Sequence, residues 1–141
     1  MTAPRAAVQT ARTIRIIHAA MVTGMVLFAL VGHFVMRPSV AADLVDFPAA
    51  LLRALIGVSL GACCLSLLLR RRVRRRAADE SADSFWMTAA GPALVTWAFL
   101  DAASLLGILL YALTGSPSGL GVTAVAVVLF VILNPAHLER R

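Results

Sequence analysis

Four runs of about twenty predominantly apolar residues, joined by short polar or basic segments, occupy most of this 141-residue chain. Wound as an α-helix at about 1.5 Å per residue, a run of that length matches the ~30 Å hydrocarbon core of a bilayer. In lipid every backbone N–H and C=O must find its partner within the protein, which leaves helices and closed barrels as the spanning structures. A barrel would read as short segments of alternating polarity, and the chain has none. The expected fold is therefore all-α: a four-helix transmembrane bundle of two helical hairpins, forming a single integral-membrane domain over residues 1–141. The spans are expected at about 13–36, 48–69, 86–113 and 119–134.

The ends of the runs carry the charges. All thirteen basic residues are arginine, and six of them lie in Arg70-Arg71-Arg72-Val73-Arg74-Arg75-Arg76, between the second and third spans. Arg5, Arg12 and Arg15 precede or open the first span, and Arg140 and Arg141 end the chain, whereas the first and third connections hold only Arg37 and none. Arginine is retained on the cytoplasmic side, so both termini and the middle loop are expected there, in the cytoplasmic (inner) membrane of a bacterium. Net charge is +6, but the arginines flank spans without aromatic interleaving, and topology accounts for them better than nucleic acid does. As a partner, the Arg70–Arg76 loop suits anionic lipid. The first run is too long for a signal-peptide core and is expected to be retained.

Against this background Asp101 stands out. It is a lone carboxylate near the middle of the third run, where a charge costs roughly 3 kcal/mol on insertion scales and marks a functional site by default. Its plainest role is a neutral acid joining helices by a hydrogen bond to Ser59 or Ser104, a form that burial favours. Its sharper role is a reversible proton or cation carrier, and a third is pairing with Arg53 or with a group on a partner chain. Arg53, about a turn and a half into the second span, reads most simply as a snorkelling side chain.

Small residues recur at helix-contact spacing: Gly24 and Gly32 on the first span, Gly57-x-x-x-Gly61 on the second, and Ala98, Ala102 and Gly107 around Asp101. In lipid such residues let helices approach closely, and packing drives association. Pro48 opens the second helix. Gly91-Pro92 is expected to divide the third run into an interfacial piece, with Trp86 at the headgroup level, and a span from about Ala93.

Metal and cofactor sites are not expected. His18 and His33 lie on one helix, about 22 Å apart along it and about 60° apart in projection. No second span carries a histidine to face them, so bis-histidine haem within one chain is excluded, a single-ligand or interchain haem stays open, and both read better as interfacial or packing residues. Cys63-Cys64 superficially resembles the vicinal pair of mercury-transport membrane proteins, but the chain has no further cysteine to accept an ion, and adjacent residues of a helix point in different directions. They read as small packing residues. No paired acid and base, phosphate loop or activated nucleophile is present, so an enzyme is not expected.

At Arg15-Ile16-Ile17-His18-Ala19-Ala20, followed by Gly24 and Phe28, the chain resembles a family of small, uncharacterised bacterial four-span membrane proteins. The likeness continues through Leu100-Asp101-Ala102-Ala103, Gly107, Tyr111, Gly115 and a span ending in Asn134-Pro135. That family usually has a glutamate at the position of Asp101, so the resemblance implies an intramembrane acid, here one methylene shorter. It carries no activity to transfer. More distantly, an acid in a small-residue helix is similar to the proton-carrying ring subunits of rotary ATPases, although here the acid is on the third span and a heavily basic loop joins the halves. The leading expectation is a small non-catalytic subunit or accessory protein of a larger membrane complex, with other membrane subunits or copies of itself as partners. The alternatives are a proton- or cation-translocating subunit, or a small transporter or channel, using Asp101.

Overall fold

The computed structural model describes residues 5–36 and 48–139, with side chains from residue 10 onward. Helix α1 (Arg5–Val31) continues into a π-helical turn at Gly32–Met36. It is followed by α2 (Ala49–Arg70), α3 (Ala82–Thr114), α4 (Pro117–Ile132) and the short α5 (Pro135–Glu139). Four helical stretches are long and apolar enough to cross a membrane, Thr10–Met36, Ala49–Arg70, Ala82–Thr114 and Pro117–Glu139, each containing an 18-residue segment of mean hydropathy 2.0 or 2.1. The described residues contain no strand. The first outer connection, with Arg37, and the terminal Arg140 and Arg141 lie outside the described residues.

Two boundaries differ from expectation. Helix α1 begins about two turns before Thr13, where the first span is expected to start. Helix α3 runs unbroken for 33 residues with Pro92 inside it, so Gly91-Pro92 does not divide it. Proline removes one N–H, but opening the helix in lipid would strand several backbone groups with no water to receive them. At about 1.5 Å per residue α3 is roughly 50 Å long and outruns the ~30 Å hydrocarbon core. Trp86, expected at the headgroup boundary, is completely buried.

Local chemistry sets the ends of α3. Ser81 is its N-cap, the hydroxyl accepting from the Ser84 N–H at 3.2 Å. At the other end Gly115 takes φ +68°, the left-handed conformation that glycine adopts without strain, and donates to the Tyr111 carbonyl at 2.9 Å. Ser116-Pro117 then opens α4 with proline in the first turn.

Helix α3 is the hub. It packs against α1, α2 and α4, while among the described residues α1 and α2 have no substantial contact with each other. The tightest seam is α3 on α4, around Gly107 and Gly119. A Cβ on Gly107 would fall 2.7 Å from the Gly119 carbonyl oxygen and equally close to Thr123 Oγ1, and a Cβ on Gly119 would strike the Gly107 carbonyl. Thr123 Oγ1 bridges the seam, donating to the Ser104 carbonyl at 3.1 Å.

The remaining small residues divide. Gly32 is buried, and a Cβ there would meet Ile108 of α3. Gly24, Gly57 and Gly61 are exposed with nothing within 4 Å of an added Cβ, and Ala98 and Ala102 are exposed as well. The contact stripe of α2 is instead Ser59, Cys63 and Ser66. Ser59 lies two residues from both Gly57 and Gly61, about 200° round the helix, so the glycine pair turns away from the bundle. Serine and cysteine are nearly as small as glycine and admit the same close approach. In α1 the buried stripe is Ala11, Ile14, His18 and Met25, and Gly24 is one residue off it.

Candidate functional site

Among the candidates, two regions of polar chemistry emerge, one where α4 breaks and one in the middle of α3. The break at Asn134-Pro135 strands carbonyl groups. The Asn134 N–H turns back to Val131 and the His137 N–H to Asn134, so the Phe130 and Leu133 carbonyls lose their usual acceptor role toward the residue four places on. Other helices supply the missing donors. His18 Nε2 lies 3.1 Å from the Phe130 carbonyl, and Trp97 Nε1 donates to the Leu133 carbonyl at 3.1 Å. A carbonyl only accepts, so His18 carries its proton on Nε2. The rings also pack, His18 edge-on to Trp97 at 4.8 Å and tilted on Phe130 at 4.7 Å.

Helix α5 continues this end of the bundle. Glu139 accepts from Trp86 Nε1 at 2.7 Å and forms an ion pair with Arg15. The Asp83 carboxylate accepts from the Ala11 N–H at 3.1 Å, fastening the start of α3 to α1. Beside them the arginine loop is folded onto α3. Arg74 pairs with Glu80, donates to Thr88 Oγ1 and lies 5.4 Å over the Phe85 ring, and Arg76 donates to the Glu80 carbonyl at 2.7 Å. The Arg74 guanidinium holds the Glu80 carboxyl below the usual glutamate range, and Glu80 in turn raises the Arg74 pKa.

Asp101 contrasts with all of this. It is half-buried at the border between the buried and exposed faces of α3, with the exposed Ala98, Ala102 and Leu105 beside it. Among the described residues its carboxyl makes no hydrogen bond or ion pair. Ser59 and Ser104, the expected partners, do not serve it. The Ser59 hydroxyl donates to the Leu55 carbonyl of its own helix at 2.9 Å. Ser104 is fully buried, and its Oγ is a buried side-chain atom with no hydrogen-bond partner. Arg53 is exposed near the start of α2 and forms no ion pair with Asp101, as a snorkelling side chain would be placed. The structure thus does not join Asp101, Ser59, Ser104 and Arg53 into one constellation.

His33 sits at the far end of the bundle, where its Nδ1 lies 2.8 Å from the Tyr111 hydroxyl and the rings stack at 5.8 Å. Cys63 is buried in the α2–α3 seam and Cys64 is exposed, both as free thiols. No group of three or more potential metal ligands occurs among the described residues. The sequence reading missed the capping roles of Trp97 and His18 and the part played by Glu139. Asn134-Pro135 was the available signal, since a helix broken inside a bundle leaves carbonyls that some neighbouring N–H must satisfy.

Compared with known proteins, the chain matches no family model, no curated protein and no solved structure. Fold and site define a class: a helical multi-pass membrane protein whose polar residues are committed to structure where α4 breaks and uncommitted at the middle of α3.

Proposed function

We propose that this protein is a small non-catalytic subunit or accessory component of a larger assembly in a bacterial cytoplasmic membrane, and that the α3 face around Asp101 receives a neighbouring chain. One observation carries this reading: a mid-span carboxyl that the side chains of the described residues leave unpartnered, bordered by exposed small residues. Leaving such a group against lipid is costly, and a neighbour bringing a donor relieves that cost. Ala98 and Ala102, together with the exposed Gly24, Gly57 and Gly61, offer surfaces where a second helix can approach closely. The end of the bundle carrying Arg15, the arginine loop and α5 is read as cytoplasmic on the strength of its arginines.

Cysteines introduced at Ala98 and Ala102 test the docking face. They are expected to cross-link to another polypeptide, or to a second copy, in native membranes, and the cross-link should weaken in Asp101→Asn. A lone monomer in mild detergent, with no cross-link in the membrane, would overturn the reading.

The same carboxyl supports a second reading, a proton- or cation-translocating subunit with Asp101 as the reversible carrier. Here Asp101→Asn abolishes flux and labelling by a hydrophobic carbodiimide. Unchanged flux in that variant removes this reading while leaving the first intact.

A further inference from the structure

We propose that the groove between the last turn of α2, the arginine loop and α5 binds the headgroup phosphate of an anionic phospholipid, independently of whatever covers Asp101. The groove is about 920 Å³ and open to one side. Arg70, Arg71 and Arg75 line it together with His137, and among the described residues no carboxylate does.

The six arginines of the loop, uniform in sequence, do different things in the fold. Arg74 and Arg76 are spent on Glu80, holding the loop against α3. Arg72 lines a separate, smaller cavity with Leu69, Pro92 and Val95. Arg70, Arg71 and Arg75 are exposed and enter no ion pair among the described residues. Three free guanidinium groups converge where α2 leaves its apolar span. Guanidinium is suited to phosphate because its planar fork donates two parallel hydrogen bonds.

The rest of the lining favours a lipid over a soluble phosphate. Leu67, Val73 and Leu138 form the apolar part of the groove wall. From Leu67 an exposed strip continues along one face of α2 through Cys64 and Leu60, a track on which an acyl chain can lie. Basic pockets of this kind at the membrane boundary attract anionic headgroups, each arginine contributing about fivefold in affinity.

Native mass spectrometry of the full-length protein, titrated with phosphatidylglycerol, cardiolipin or phosphatidylcholine, tests the assignment. The two anionic lipids are expected to bind and phosphatidylcholine to bind at least about tenfold more weakly. The Arg70→Gln, Arg71→Gln, Arg75→Gln triple variant should lose on the order of a hundredfold in affinity for the anionic lipids, and Arg72→Gln no more than about twofold. The corresponding triple lysine variant retains the charge and should recover most of the binding, which separates lost affinity from a disturbed loop. Equal losses in the triple variant and in Arg72→Gln would overturn the site, as would phosphatidylcholine binding as well as the anionic lipids. Inorganic phosphate is expected not to displace the lipid. Displacement at comparable concentration would make this a site for free phosphate and overturn the lipid assignment.

Discussion

Both the break in α4 and the middle of α3 place polar groups inside an apolar bundle, and the protein treats them in opposite ways. At the break, the Phe130 and Leu133 carbonyls are matched by His18 and Trp97, and Glu139 is matched by Arg15 and Trp86. In the middle of α3 the Asp101 carboxyl and the Ser104 hydroxyl go without among the described residues. A bundle able to satisfy polar groups drawn from four helices at one end does not lack the means to do so elsewhere. The difference separates polar groups that hold the fold from those that the described residues leave unpartnered.

The largest effect that should expose this contrast is at Trp97. Trp97→Ala removes a fully buried ring and the donor to Leu133, and is expected to cost about 3–5 kcal/mol in reversible unfolding from micelles. Trp97→Phe keeps most of the ring and loses the donor, costing about 1 kcal/mol if the cap is worth an ordinary hydrogen bond. Next comes the α3–α4 seam, where Gly119→Ala drives a methyl group against the Gly107 carbonyl. Backbone cannot give way as a flexible side chain can, and a loss of about 2 kcal/mol is expected in the same measurement. Asp101→Asn is expected to leave the isolated protein's stability within about 0.5 kcal/mol, because among the described residues it removes no hydrogen bond or ion pair. A loss comparable to that at Trp97 would show that the carboxyl does hold the fold, and the contrast would fall.

The smallest effect belongs to the arginine loop. Glu80 titrates below the ordinary glutamate range in the folded protein, so the folded state binds its proton less readily than the unfolded state does. Its contribution is therefore present above the ordinary glutamate value and is lost as pH falls through the depressed folded value. Glu80→Gln should flatten that acid-side loss. Thermal unfolding of the two proteins across that pH window makes the comparison.

The number and approximate placement of the helices were legible because each apolar run must supply all its own hydrogen bonds in lipid. Which residues face inward was less so. Gly57-x-x-x-Gly61 carries the familiar spacing, yet α2 uses Ser59, Cys63 and Ser66, and hydropathy cannot separate two faces that are both small and apolar. Trp86 reads as an interfacial anchor until Glu139 is seen beneath its indole N–H, a pairing between residues 53 positions apart. Asp101 was found at once, because one carboxylate in such a run has no disguise. What it touches could not be read, since depth along a helix does not fix the angle around it.

That the described residues pack no α1–α2 interface has a consequence for biosynthesis. The ribosome delivers α1 and α2 to the membrane first, and neither has its main contact surface until α3 follows. The early nascent chain is thus a pair of independent spans, and tertiary structure begins only when the C-terminal half arrives, with α3 closing on α4 across Gly107 and Gly119. During that interval the first two spans lack the helix that supplies most of their contacts in the finished fold.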